Sequence, residues 1–285
     1  MAPLENNGFL DDLPEDVQFF RYEGPDSIAS HLFHEWKAGK YAVVFNNLTE
    51  DDLDNVDKGR ERLFREVPSF GQVDFSRRSN ELIIKIPSKV QQVVRDCMVN
   101  YILGNLKSMK LDQLVSSSAS MSFRTSQRIK EPCQALWLKD TESEDMIEFP
   151  SIVFETGLTE ARPMRDVMWW LNVSDDKVRM AVTIVHDRKV VDSQGNNFIE
   201  VITWTRGEGI GLLRHPAEVQ RVRITKCGDD VSVKGPKIAM PLWHILGRPA
   251  KKREYDIIFK HDVFREIGRL AFDLPKKEPT VKTKQ

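Results

Sequence analysis

From Ser88 to Lys107 the apolar positions Val90, Val93, Val94, Cys97, Met98, Tyr101 and Ile102 recur every three or four residues, which predicts an amphipathic helix. Ser88 supplies an N-cap and Gln91 stands at the reciprocal capping-box position. Just before it, Glu81–Ile86 is a short aliphatic run that predicts a strand. A second helical stripe, Met164, Val167, Met168 and Leu171, predicts a helix over about 162–171. Between them, 132–138 and 150–155 predict strands, as do 178–185 and 198–205 further on. Ser116–Arg124 predicts a Ser-rich strand, followed by a turn over 125–130 and, after 138, an acidic loop over 140–148. Weaker strands are expected at 221–224 and 231–233, and a closing helix at 262–272. Toward the N-terminus, a helix over 26–37, a strand over 41–45 and a helix from Thr49 to about Glu66 complete the pattern.

The order helix, strand, strand, strand, helix, strand predicts an α/β (α+β) fold, a mixed β-sheet flanked by helices. Residues 1–80 read as an N-terminal extension, 81–272 as the core, and the Lys-, Pro- and Thr-rich 273–285 as a disordered basic tail.

Composition narrows the function classes. Among 285 residues, 42 basic side chains face 43 acidic ones, which excludes a uniformly basic nucleic-acid coat. Cys97, Cys133 and Cys227 are too few and too scattered for a disulfide framework or a Cys-x-x-Cys zinc site. No long apolar run or signal-like start is present. The expectation is a cytoplasmic or nuclear protein, not secreted and without a membrane partner.

One position carries candidate chemistry. In Pro150-Ser-Ile-Val-Phe-Glu155-Thr-Gly157, Ile152 and Phe154 share one strand face while Val153 and Glu155 share the other. A carboxylate on a face that is otherwise buried needs a partner or a cation. The alternative, Glu155 at a wetted strand end, carries equal weight from the residues alone.

These residues, with Asp166, Trp169, Trp170 and Leu171 on the next helix and the strand 180–185 beyond, resemble the PD-(D/E)xK nuclease-like superfamily. More narrowly they resemble its restriction-endonuclease-like members in filamentous fungi. Lys130-Glu131-Pro132 is similar to that group's Lys-Glu-Pro-Asp segment, and Ile86-Pro87-Ser88 to its helix-opening Met-Pro-Ser. The resemblance spans about 81–272 and implies phosphodiester hydrolysis assisted by Mg²⁺ or Mn²⁺, without an organic cofactor. It places Glu155 as metal ligand, with Cys133, Gln134 and Gln92 lining the same pocket. Arg124, Arg128, Lys130, Arg162 and Arg165 are then expected near the phosphates of DNA or RNA.

The departures are as specific. Cys133 stands where the group has Asp, Gln91-Gln92 where it has His-Glu, and Gly157 where the superfamily has Lys. A thiol is a poor Mg²⁺ ligand. The expectation is therefore a degraded metal site on a nuclease-like fold, serving as a nucleic-acid or protein binding module. An active nuclease completed by Asp166 or Asp112 is the first alternative, and a non-catalytic scaffold of unrelated fold the second. Gly207-Glu-Gly-Ile-Gly211 reads as a turn, His31 and His34 as surface histidines, and Lys251-Lys-Arg253 as a solvated patch.

Overall fold

The computed structural model describes residues 8–56, 72–119, 121–139, 149–208 and 214–274. Near the start, β1 (Gln18–Arg21), α1 (Pro25–Lys37) and β2 (Ala42–Asn46) are followed by a capped turn. There the Thr49 amide and hydroxyl both donate to Asp52 Oδ2 at 2.8 Å. The helix expected from Thr49 is traced to residue 56, and 57–66 lie outside the described residues. β3 (Val73–Ser76) and β4 (Glu81–Lys85) form an antiparallel hairpin. The boundary placed at residue 80 falls in its turn. α2 (Lys89–Ser108) follows, with Ser88 Oγ accepting from the Gln91 amide and Gln91 Oε1 accepting from the Ser88 amide.

The Ser-rich segment is two strands rather than one. β5 (Val115–Ser118) and β6 (Phe123–Arg124) join different sheets. The turn expected at 125–130 contains another strand, β7 (Arg128–Lys130), paired with β3. It is too short for a periodic signal. β8 (Gln134–Leu138), β9 (Ile152–Gly157), α3 (Ala161–Val173), β10 (Met180–Val185) and β11 (Phe198–Arg206) lie close to their expected positions. β12 (Pro216–Cys227) is far longer than the expected 221–224, since alternating polar residues mask its N-terminal half. β13 (Asp230–Lys234), β14 (Ile238–Met240), α4 (Leu242–Leu246), β15 (Ile257–Phe259) and α5 (His261–Phe272) complete the chain. The acidic loop 140–148 and tail residues 275–285 lie outside the described residues.

The fold is a mixed α/β architecture. A seven-stranded sheet runs β13-β12-β11-β10-β9-β8-β5, and a six-stranded sheet runs β1-β2-β4-β3-β7-β6. β14 and β15 form a separate antiparallel pair. In the larger sheet β9 and β10 are parallel, joined through α3, while β5, β8 and β9 are successively antiparallel. Period-two alternation gives that sheet two apolar faces. Ile152, Phe154, Met180, Val182 and Ile184 pack toward α2 and α5, and Val153 and Ala181 toward Trp169 and Trp170 of α3. Among the described residues no helix is long and apolar enough to cross a membrane.

The six-stranded sheet positions the site. One face, with Val43, Phe45, Val73, Phe75, Leu82, Ile84 and Ile129, covers Ile28 and Leu32 of α1. The alternate positions Asp74, Lys85, Arg128 and Lys130 therefore point the other way. That face meets α3 and the end of β9, so all four charged residues are buried.

Candidate functional site

Arg162, Asp166 and Trp170 recur every four residues along α3, which brings them to one helix face. Glu155, fully buried, reaches the same space from β9. Lys85 Nζ donates to Glu155 Oε2 at 2.8 Å and to Asp166 Oδ2 at 2.6 Å. Lys130 Nζ donates to Asp166 Oδ1 at 2.7 Å and to Asp74 Oδ2 at 2.8 Å. Arg128 grips Asp74 with two donors, its Nε at 2.5 Å from Oδ1 and its Nη2 on Oδ2. Arg162 Nη2 adds a contact to Asp74 Oδ2 at 3.2 Å. Four cations thus interlock with three carboxylates and tie the six-stranded sheet to α3 and β9.

The rest of Glu155 is also occupied. Trp170 Nε1 donates to its Oε1 at 2.6 Å, and Cys133 Sγ lies 3.4 Å from Oε2. The same thiol stands 3.1 Å from Gln72 Oε1 and 3.3 Å from Thr156 Oγ1. Tyr41 closes the edge by donating its hydroxyl to the Thr156 carbonyl.

Burial and charge compete at every member. Burial would raise the Asp74 and Asp166 carboxyls, but the adjacent lysine and arginine charges hold both well below the ordinary range. Burial would lower Lys85, yet Asp166 and Glu155 raise it well above an ordinary lysine. Lys130 is the exception: burial, assisted by Lys85 and Arg128, pulls it below the usual value. The Cys133 thiol is pushed up to about 12, first by burial and then by the Glu155 charge.

The expected site residues separate into three groups. The structure brings Glu155 and Cys133 together, and Asp166 shares Lys85 with Glu155. Gln134 begins β8, half-buried, and pairs in register with Phe154 rather than Glu155. Gln92 turns back and donates to the Pro87 carbonyl at 2.8 Å. Its neighbour Gln91 is the buried glutamine, donating to the Gly157 carbonyl at 2.7 Å.

Of the basic residues expected near phosphates, Arg128, Lys130 and Arg162 are buried inside the network. The Arg128 guanidinium also lies over Phe9 at 5.2 Å and Trp169 at 5.4 Å. Arg124 and Arg165 are nearer solvent, bonded to Glu50 at 3.1 Å and to Asp12 at 2.8 Å. Asp112 lies in the single turn after α2, outside the network.

A divalent cation does not suit this donor set. Both Glu155 oxygens already accept, one from an ammonium and one from an indole, and both Asp166 oxygens accept from lysines. Cys133 contributes soft sulfur, whereas Mg²⁺ and Mn²⁺ require several oxygens. Among the described residues no three His, Cys, Asp or Glu side chains cluster as metal ligands. Gly157 has no room for a side chain: a Cβ there would overlap Pro163 Cγ and stand 2.8 Å from the Thr159 carbonyl oxygen.

Sequence reasoning missed Asp74, Lys85, Tyr41 and Gln72. The available signal was the polar-apolar alternation Val-Asp-Phe-Ser, Ile-Lys-Ile and Arg-Ile-Lys, which ordinarily marks a solvated face. The chain matches no protein-family model and no curated protein.

Proposed function

We propose that this chain is a nuclease-like protein in which the Lys85 ammonium has taken over the charge-neutralising place of a divalent cation, leaving a binding module rather than a phosphodiesterase. The carrying observation is Lys85 Nζ between Glu155 and Asp166, at 2.8 and 2.6 Å. An ammonium there supplies positive charge to the carboxylates but can neither polarise a phosphoryl oxygen as a Lewis acid nor deliver bound hydroxide. The order α2, β5, β8, β9, α3, β10, with its antiparallel and then parallel pairings, supports the fold part of the reading. Three of the five basic side chains expected at phosphates are spent internally, which favours a protein partner over DNA or RNA.

Calorimetric titration with Mn²⁺ and Mg²⁺, paired with DNA and RNA cleavage assays, tests this reading. The expected result is no saturable metal binding at about millimolar concentration and no cleavage. Cleavage that depends on metal and disappears in Glu155→Ala would overturn it.

A further inference from the structure

The larger sheet ends at β5, which pairs on one side only, with β8. The Lys139 amide donates to the Leu114 carbonyl at 2.9 Å, so Leu114 and Lys139 exchange hydrogen bonds, and Ser116 and Trp137 form the next such pair. Val115 and Ser117 fall in the alternate register, where backbone groups point away from the partner strand. The far side of β8 agrees: Leu136, opposite Ser117, turns its carbonyl to the Ser151 amide at 2.8 Å. The Val115 amide is taken up by the Asp112 carbonyl. The Ser117 amide and carbonyl meet no backbone partner among the described residues. An edge of this kind is a template for another extended backbone.

A groove of about 480 Å³ lies beside the edge, lined by Val115 and Ser117 of β5 and by Leu103, Gly104 and Lys107 of α2. Gly104 is a second, independent observation. It sits in the interior of a 20-residue helix, where glycine costs stability relative to alanine. No neighbour excludes a side chain there, since a Cβ would meet no atom within 4 Å. The missing side chain instead leaves the wall of the groove open to close approach by another backbone.

Charge selects the occupant. Lys107 and Lys139 line the groove without a carboxylate partner among the described residues. Asp112 is the one acid among the described lining residues, and its Oδ2 accepts from Gln113 Nε2 at 3.5 Å. Cations therefore exceed acids. A second copy pairing β5 with β5 about a two-fold axis would double that excess and set like charges together. An acidic strand offsets it.

We propose that this edge docks an extended acidic peptide of a partner protein. The peptide adds as a further strand beside β5, exchanges hydrogen bonds with Ser117, passes over Gly104 and sets its carboxylates against Lys107 and Lys139. Main-chain bonds fix the geometry and the lysines select the charge. The groove shares no residue with the Glu155 network, so the proposal does not depend on the nuclease-like reading.

The test titrates the isotope-labelled full chain with the acetylated, amidated peptide Thr-Glu-Val-Glu-Val-Glu-Thr and follows the Ser117 amide by NMR. That signal should shift saturably, with a Kd of about 1 mM or tighter, and its hydrogen exchange should slow. The same peptide with Lys in place of Glu should not bind, and neither should one N-methylated at alternate residues, which lacks the donors for strand pairing. Gly104→Gln places a better helix former in open space, so it should fold and yet weaken binding by about tenfold or more. Lys107→Gln combined with Lys139→Gln should weaken it by about three- to tenfold. A silent Ser117 amide at about 5 mM peptide, binding untouched by Gly104→Gln, or equal affinity for the Lys peptide would each overturn the proposal. So would a thymidine tetranucleotide that shifts Ser117 where the peptide does not, or a dimer of the native chain that Gly104→Gln dissociates. Glu155→Ala should leave peptide affinity unchanged, and metal-dependent cleavage alongside peptide binding would overturn only the preceding reading.

Discussion

Lys85 Nζ and Glu155 Oε2 meet at 2.8 Å with both side chains fully shielded from water. Each depends on charged or hydrogen-bonding partners, because isolated charges in a dry interior cost several kcal/mol each. Lys85→Met should therefore destabilise the fold by about 3–5 kcal/mol, because it leaves Glu155 and Asp166 short of a cation. Adding Glu155→Gln should recover part of the loss. Urea denaturation of both single variants and the double variant measures the coupling. Additive losses would show that the pair is not a unit.

Trp170 serves the same carboxylate from the other side. Its indole donates to Glu155 Oε1 at 2.6 Å while its ring packs edge-on against Trp169 at 4.7 Å and Phe123 at 5.3 Å. Trp170→Phe keeps much of the packing and removes the donor. A hydrogen bond to a charged group contributes about 1.5–3 kcal/mol, and a loss of that size is expected in chemical denaturation. A change below about 0.5 kcal/mol would mean that the contact does little for stability.

Gly157 follows Glu155 by two residues, and Pro163 fills the space that a side chain there would need. Gly157→Lys should lower stability by about 1–3 kcal/mol through overpacking and should confer no cleavage of DNA or RNA. Thermal melting and a nuclease assay on the same preparation test both parts. An active Gly157→Lys variant would show that the site lacks only a lysine.

The long periodic elements were legible in the chain. The Ser88–Gln91 capping box and the split of β9 into an Ile152/Phe154 face and a Val153/Glu155 face both follow from local rules that burial did not alter. The charged network was not legible. Asp74, Lys85, Arg128 and Lys130 alternate with apolar residues, a pattern that ordinarily faces water. Their burial is decided by α3 crossing that face, a contact spanning 81 residues between Lys85 and Asp166. For the same reason Arg128 and Lys130 read as solvent-facing cations, although each is a buried partner of Asp74. Gln91 and Gln92 differ only in register: one residue of helical rotation buries the first and turns the second back onto Pro87.

Cysteine chemistry gives an independent check on how closed the network is. Cys133 is fully buried and its thiol is pushed up to about 12, so almost none is thiolate at neutral pH. Cys227 is exposed and Cys97 half-buried. Alkylation at pH 8 followed by mass spectrometry should label Cys227 first, then Cys97, with Cys133 modified only as fast as the protein opens. Early labelling of Cys133 would show that solvent reaches Glu155 in the native state.

Acid sensitivity should begin at His186 rather than in the network. Burial is the main cause of its low pKa, about 4, with Arg188 lowering it further and Asp187 opposing. The unfolded chain takes up this proton near the ordinary value of 6.5, whereas the folded chain resists it until about pH 4. The unfolded state thus binds more protons across that window, and stability falls as pH drops through it, by on the order of 3 kcal/mol at its lower end. Asp74 and Asp166 act later. Their carboxyls are held below 3.8, so the stability they contribute stays intact until the pH falls beneath that value. Denaturation midpoints measured from pH 7 to pH 4 should decline for the native chain and stay flatter for His186→Phe.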